Sequence, residues 1–306
     1  MFKKKIIFLV GPTGVGKTAV AISLARRLKA EIISCDSMQV YRSLDIITSK
    51  ATVEQKKAIK HHLLSIINPT REYNVAKYRK QAILICDKLF KKGKIPLFVG
   101  GTGLYYSIIV DGLFPAVPED KKIRLKLCKL LASQGSNYLH KRLAKVDPVS
   151  GLKIHAHDAK RIIRALEVFM LTGKPISHLQ KQRVGLGPEY EVKVFGLNLE
   201  RQALYSKIDQ RVEKMFKLGL ISEVQKLLKR KLSQTASYAI GLRELQGYFK
   251  QEYSLAEAKR LIKRNSRHYA KRQLTWFKHD QRIQWIKINK TNTPAQIALN
   301  LWKKLS

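Results

Sequence analysis

The run Ile6 to Val10 is short, apolar and closed by Gly11, the pattern of a strand buried on both faces of a parallel sheet. Residues 18–29 follow with Ala21, Leu24, Ala25 and Leu28 on one helical face. Residues 31–34 read as a second short strand that stops at Cys35-Asp36-Ser37. Helical spacing returns over 75–92 and ends in Lys91-Lys92-Gly93, a helix stop. A third buried strand over 95–99 runs into Gly100-Gly101-Thr102-Gly103. Alternation of strand and helix predicts a doubly wound parallel sheet. Past Gly112 the pattern changes: Pro115 and Pro118 mark a break, and from Glu119 to about Leu179 the periods are helical with no convincing strand. Residues 192–199 read as a returning strand, and helical patterns resume from Gln202 to the end. The expected organisation is an α/β core formed by 1–114 and 186–306, interrupted by an all-helical insertion over 115–185.

Composition changes this picture in one respect. A chain of 306 residues with 45% hydrophobic and 27% charged positions is ordinary globular material, of a length that suggests two domains. Lys and Arg number 60 against 22 Asp and Glu, a net charge of +38. That excess excludes an acidic solvating chain and points to a polyanionic partner, with lysine enrichment of a solvated surface as the competing explanation. Cys35, Cys86 and Cys128 stand far apart, so neither a zinc module nor a disulfide framework is indicated, and a reducing cytoplasm is expected. The longest uncharged apolar stretch, residues 95–110, contains Pro96 and two adjacent glycines and falls short of the ~20 residues of a membrane span. Lys3-Lys4-Lys5 before the first apolar run imitates a signal peptide, but Gly11-Pro12 and Lys17 fit that reading badly.

Those residues have another explanation. Gly11-Pro12-Thr13-Gly14-Val15-Gly16-Lys17-Thr18 matches G-x-x-x-x-G-K-[ST], with a predicted strand before it and a helix after it. Glycines let backbone N–H groups turn inward around phosphate oxygens, and the helix N-terminus adds partial positive charge. Lys17 is placed to reach an outer phosphate and the Thr18 hydroxyl to hold Mg²⁺. The motif identifies a polyphosphate and leaves its remainder open. A hydrolytic NTPase carries an apolar strand tipped by Asp, whereas residues 95–99 end in Gly-Gly-Thr. The stretch Ile83-Leu84-Ile85-Cys86-Asp87 imitates such a strand but lies inside a helical pattern.

Ligands of open α/β sheets bind beyond the carboxyl ends of the strands. Asp36 and Thr102 both fall there, which makes Asp36 a candidate general base and Thr102 a candidate hydrogen-bonding group. A turn or N-cap role for Asp36 is the alternative.

Asp36-Ser37-Met38-Gln39-Val40-Tyr41, after GPTGVGKT and before Gly100-Gly101-Thr102-Gly103-Leu104-Tyr105, resembles the tRNA dimethylallyltransferase (isopentenyl-tRNA transferase) family of bacterial type. Asp147-Pro148, Ile154-His155 and residues 158–168 are similar to that family's insertion motif, and residues 269–277 (YAKRQLTWF) to its C-terminal motif. The resemblance implies transfer of a dimethylallyl group from dimethylallyl diphosphate to N6 of the adenosine beside the anticodon. The phosphate loop, Gly11 to Thr18, would then hold the diphosphate leaving group, so no Asp-tipped strand is needed. It implies Asp36 as base, Thr102 steadying amine or base, Mg²⁺ as cofactor, and Arg211 as a second cation. From the sequence alone Arg211 is an unremarked helical arginine. The adenine must be flipped from its stack, at a few kcal/mol.

The same resemblance implies tRNA contacts at Asp36, Ser37, Met38, Gln39 and Thr102, and at Arg124, Lys160, Arg161, Ile162, Ile163 and Arg164. It adds Tyr238, Ala239, Ile240, Gly241, Leu242 and Arg243. Core packing is the alternative for Met38. On the 159–170 helix, Ile162, Ile163, Leu166, Phe169 and Met170 share one arc, with Arg161 and Arg164 roughly opposite. The basic stretch from Lys259 to Lys278 interleaves Tyr269, Trp276 and Phe277, which suits stacking on single-stranded RNA or, equally, a buried helix side. Leu242 stands where the family more often has an aromatic, and His155-Ala156-His157-Asp158 departs from the family's turn. The expected partners are a tRNA anticodon stem-loop and dimethylallyl diphosphate, with no membrane, and the protein is expected to act as a monomer. A P-loop small-molecule or nucleoside kinase and a non-catalytic basic RNA-binding protein are the competing functions.

Overall fold

A computed structural model describes residues 3–114 and 117–305. Strand β1 (Lys4–Val10) runs through the phosphate loop into helix α1 (Lys17–Leu28), and strand β2 (Ala30–Ser34) follows. A short helix α2 (Val53–Ala58) precedes the two-residue strand β3 (His61–His62), and α3 (Val75–Phe90), β4 (Ile95–Gly100) and α4 (Gly103–Val110) complete the first half. Next come α5 (Lys121–Val146), α6 (Pro148–Lys153), α7 (Ala159–Thr172) and α8 (Ile176–Lys181). The chain then forms β5 (Tyr190–Leu199), α9 (Arg201–Lys217), α10 (Leu220–Leu228), α11 (Leu242–Phe249), α12 (Leu255–Lys278), β6 (Ile283–Ile288) and α13 (Pro294–Lys303). It divides into two units, one of Met1–Val110 with Pro188–Ser306 and one of Asp111–Gly187. Pro115, one of the two prolines at the expected break, lies outside the described residues.

The first unit is an α/β layer structure. Its sheet has the order β3-β2-β4-β1-β5-β6 with every pairing parallel. β1 lies inside, so Ile6, Ile7, Phe8, Leu9 and Val10 are all buried, which explains their unbroken apolar run. Ile7 and Leu9 pack with Val20, Ala21 and Leu24 of α1 and with Ile297 and Leu301 of α13. Phe8 stacks on Phe98 at 4.6 Å and meets Tyr106 edge-on at 5.1 Å. Each such aromatic or aliphatic side chain contributes roughly 1.5–3 kcal/mol by leaving water.

Two strands escape the sequence pattern. β6 interrupts the helical reading of the C-terminal third: its Ile283 and Ile288 are buried at the sheet's edge while Gln284 and Lys287 face out. β3 is two residues long, too short to carry a period.

The second unit is helical. Its core is Leu127, Leu139, Leu143, Ile162, Ala165, Leu166 and Val168, joined by Ile176 and Leu179. α5 is broken at Gly135, whose backbone is non-helical (φ 78°). Asp147 caps α6 and accepts from both the N–H and the hydroxyl of Ser150 and of Ser177, so this buried carboxylate is fully partnered. The expected apolar arc of α7 holds at Ile162 and Leu166 but not at Met170, which is exposed; Val168 is buried in its place.

Glu167, on the buried side of α7, has no exposed surface. It accepts from the Asp120 N–H at 2.9 Å, from Arg124 Nε at 2.9 Å and from Arg164 Nη1 at 2.6 Å. Burial by itself raises the carboxyl pKa, but the hydrogen bonds from Arg164, Arg124 and Asp120 outweigh it and hold the group below its ordinary value. Glu167→Ala is expected to cost about 3 kcal/mol, because it strands two partly buried guanidiniums. Faster hydrogen exchange of α5 and α7 amides is the measurement. A depressed carboxyl stabilises fully above its unfolded pKa, so this contribution disappears as pH falls below about 4.5, through the folded value. In Glu167→Ala that step in acid sensitivity should be missing.

Candidate active site

The carboxyl ends of β1, β2 and β4 meet at a cavity of about 700 Å³ within the first unit. The close approach is allowed by glycine. A Cβ at Gly100 would overlap the Cys35 carbonyl, and one at Gly11 (φ +139°) would come within 2.7 Å of the Leu197 carbonyl oxygen. Strand tips and loops therefore touch backbone to backbone.

Thr13, Gly14, Gly16, Lys17 and Thr18 of the phosphate loop line the cavity, while the Val15 side chain turns into the hydrophobic core. Lys17 Nζ donates to the carbonyls of Gly11 at 2.8 Å and Pro12 at 2.7 Å. Burial lowers its pKa to about 7; Asp36 opposes that shift and Arg211 reinforces it. Arg211 reaches over the loop from α9. Its Nη1 donates to Thr13 Oγ1 at 2.6 Å, Nε to Ser49 Oγ at 2.9 Å and Nη2 to the Thr48 carbonyl at 3.2 Å. Burial depresses the Arg211 pKa and Asp36 counteracts it, yet a guanidinium stays charged. Lys17 and Arg211 thus face one cavity, with Asp36 as the carboxylate whose field both feel.

Asp36 sits just past β2. Its Oδ1 accepts from the N–H groups of Met38 at 2.9 Å and Gln39 at 3.3 Å, so it does make the turn cap that sequence left open. Among the described residues, hydrogen bonds reach only that oxygen. The Asp36-Ser37 segment is tied to the end of β4, where Thr102 Oγ1 accepts from the Ser37 N–H at 3.1 Å and Thr102 N donates to the Cys35 carbonyl at 3.2 Å. Thr102 thereby stands beside Asp36 without lining the cavity. Gln39 lines it, but its amide is engaged with Ser34 Oγ at 3.2 Å and the Thr48 carbonyl at 3.3 Å. Ser37 and Met38 are half-buried.

Gln273 is the residue that sequence reasoning missed. From α12 its Oε1 accepts from the Thr13 N–H at 2.8 Å and its Nε2 donates to the Gly101 carbonyl at 2.9 Å, bridging the phosphate loop to the end of β4. Tyr269, one turn earlier, places its hydroxyl against Thr102 and Gln273; burial, then Asp36, pushes its pKa up to about 12. A signal was present: buried Ala270, Gln273 and Phe277 share a helical face, so one amide stands in an apolar row. Trp276 lies at the border of exposure.

The other expected contacts are not at this cavity. Tyr238 and Arg243 are exposed, with the guanidinium 5.4 Å from the ring centroid, whereas Ala239, Gly241 and Leu242 are buried and Ile240 is half-buried. In the helical unit Lys160 and Arg161 are exposed. Ile162 is fully buried, so its side chain is not offered to a ligand, and Ile163 is half-buried. Arg124 and Arg164 are half-buried in the Glu167 pair, which gives them a structural task the sequence did not show.

A family model described as IPP transferase matches residues 39–280, and one described as isopentenyl transferase matches residues 4–67. The chain belongs to the IPP transferase family. It is 45% identical over 284 residues to the tRNA dimethylallyltransferase of Carboxydothermus hydrogenoformans, covering 92% of this chain and 91% of that protein. Among solved structures it is similar to the full-length tRNA isopentenylpyrophosphate transferase of Bacillus halodurans (TM-score 0.73, 37% identity, 99% and 97% of the two chains). It is also similar to a eukaryotic dimethylallyltransferase acting on tRNA (TM-score 0.79, 26% identity, 99% and 77%). IPP transferase membership accounts for a phosphate loop without an Asp-tipped strand: Ile83 to Asp87 lies within α3, and β4 ends in Gly100.

A half-neutral Lys17 is expected to take up a proton when an anion fills the cavity. Inorganic diphosphate should therefore bind with proton uptake near pH 7–8, read by calorimetry in buffers of different ionisation enthalpy. The difference from Lys17→Arg, whose side chain is always charged, isolates the lysine.

Proposed function

We propose that the chain transfers a dimethylallyl group from dimethylallyl diphosphate to N6 of the adenosine beside the anticodon of tRNA, releasing diphosphate. The observation that carries this reading is one cavity in which Lys17 and Arg211 face Asp36. The cations suit a diphosphate, and the carboxylate suits an amine that must lose a proton.

The N6–C1 bond forms as the C1–O bond to diphosphate breaks, and the amine proton passes to Asp36. An adenine amine is a poor nucleophile, and a positioned base is worth about 10²–10⁴ in rate. The free Oδ2 is the basic oxygen, since Oδ1 is held by Met38 and Gln39. Thr102 fixes the Asp36-Ser37 turn through the Ser37 N–H. Charge gathering on the leaving group is met by Lys17, Arg211 and the loop N–H groups, fixed beforehand.

The donor set fits Mg²⁺ carried with the diphosphate. The Thr18 hydroxyl lines the cavity, and no cluster of three or more acidic, His or Cys side chains that could hold a metal occurs among the described residues. Magnesium bound mainly through phosphate oxygens asks for little more. When bound, it neutralises charge on the leaving group.

RNA binding falls to the exposed cations. We assign tRNA contacts to Lys160 and Arg161 in the helical unit and, separately, to Arg243 and Tyr238 in the first unit; Arg124 and Arg164 act chiefly by shaping the helical unit. Among the described residues no helix is long and apolar enough to cross a membrane. Cys35, Cys86 and Cys128 are all free thiols, in keeping with our reading of a cytoplasmic enzyme.

Incubation with anticodon stem-loop RNA and dimethylallyl diphosphate is expected to add the mass of one dimethylallyl group to the RNA; an unchanged mass refutes the reading. Asp36→Asn keeps the Oδ1 turn cap and removes the base. It should lower turnover by about 100-fold or more while tRNA affinity stays within about tenfold. Arg161→Gln should weaken RNA binding and reduce its salt slope by about one.

A further inference from the structure

The loop that holds Arg211 is itself held by a carboxylate from another element. Glu223, on α10, accepts the N–H groups of Asp45 at 3.0 Å and Ile46 at 2.8 Å through Oε2, and that of Ile47 at 2.9 Å through Oε1. Three consecutive backbone donors on one side chain fix a turn in a single orientation. The chain then reverses at Ser49, a non-glycine residue in the left-handed region (φ 46°), closed by the Ser49 N–H on the Ile46 carbonyl and the Lys50 N–H on the Asp45 carbonyl. A conformation disfavoured for serine persists only where its surroundings enforce it.

This turn presents the acceptors of Arg211. Thr48 offers its carbonyl to Nη2 and Ser49 its hydroxyl to Nε. The same Thr48 carbonyl accepts from Gln39 Nε2, which lies three residues after Asp36. Arg211 therefore takes two of its three acceptors from residues 45–49, whereas Asp36 itself is held by the backbone of Met38 and Gln39.

We propose that Glu223 is a positioning residue for prenyl transfer: by gripping the N–H groups of residues 45–47 it aims Arg211 at the diphosphate. The proposal rests on the function given above. It separates Glu223 from the residues that touch substrate, since Glu223 does not line the cavity.

Glu223→Gln is the informative substitution. The amide keeps one acceptor oxygen but opposes its NH₂ to a backbone N–H, so the three-fold grip is lost at nearly constant volume. Transfer to anticodon stem-loop RNA and affinity for inorganic diphosphate should both fall, turnover by about 10- to 100-fold. Stem-loop affinity should stay within about threefold of the unsubstituted enzyme. The deciding measurement is a cycle with Arg211→Ala: if Glu223 acts through Arg211, Glu223→Gln has little further effect on turnover or diphosphate affinity once the guanidinium is gone. Multiplicative losses in the double variant overturn the proposal, as does a Glu223→Gln enzyme as active as the unsubstituted one. Should Glu223→Gln fail to fold, Glu223→Asp, too short to span both oxygens' partners, undergoes the same cycle. Absence of transfer by the unsubstituted enzyme would instead defeat the functional reading, leaving the diphosphate cycle to judge Glu223.

Discussion

Two cations, Lys17 and Arg211, sit half-buried and partly desolvated at one cavity, and most of the first unit serves to keep them there. Lys17 and Arg211 repel each other, and burial penalises both. They stay because polar oxygens have been fixed around them: the Gly11 and Pro12 carbonyls for the lysine, and Thr13, Ser49 and the Thr48 carbonyl for the arginine. Such an arrangement is complementary to an anion before any anion arrives. Asp36 alone does not neutralise the pair, and Lys50, Lys56, Lys207 and Lys214 line the same cavity against Asp45, so the cavity is left with an excess of positive charge that suits an anion.

Around that pair the structure is stapled from a distance. Gln273 joins the phosphate loop to the tip of β4, Thr102 joins that tip to the Asp36 turn, and Gly100 lets β4 approach β2 without a side chain between them. None of these contacts is local in sequence. The helical unit solves a different problem in a related way. There a carboxylate without exposed surface, Glu167, organises Arg124 and Arg164, so residues that would serve as surface charge are partly withdrawn into the frame.

This explains which parts of the molecule could be read from the chain. β1 and β4 are buried on both faces, and burial writes itself as apolar runs closed by glycine; β2, which also buries Glu31 and Ser34, showed itself chiefly through Ile32 and Ile33. The phosphate loop is contiguous, so its residues declare one another. The Asp36 position followed from the end of a strand. Arg211 carried no sign of its role, because its partners Thr13, Ser49 and Thr48 lie more than 160 residues away. Gln273 was hidden for the same reason. On α7, an amphipathic projection separated Ile162 from Arg161 correctly, but it could not foresee that Glu167 faces inward with its arginines attached. Strand β6 was lost because an edge strand with the exposed polar residues Gln284 and Lys287, one on each face, lacks the apolar continuity of its neighbours.

The sheet's central strand has consequences for biogenesis. β1 is made before its partners: it pairs with β4 about 90 residues later and with β5 nearly 190 residues later, while α1 is covered by the still later α13. Until β5 and α13 have been made, an apolar strand edge and one helical face stay without their native cover. Long-range parallel pairing closes slowly and exposes surface that aggregates. The cavity at the phosphate loop therefore stays unassembled until Arg211 and Gln273 have been made, and the surface left open in that interval is a liability written into the topology.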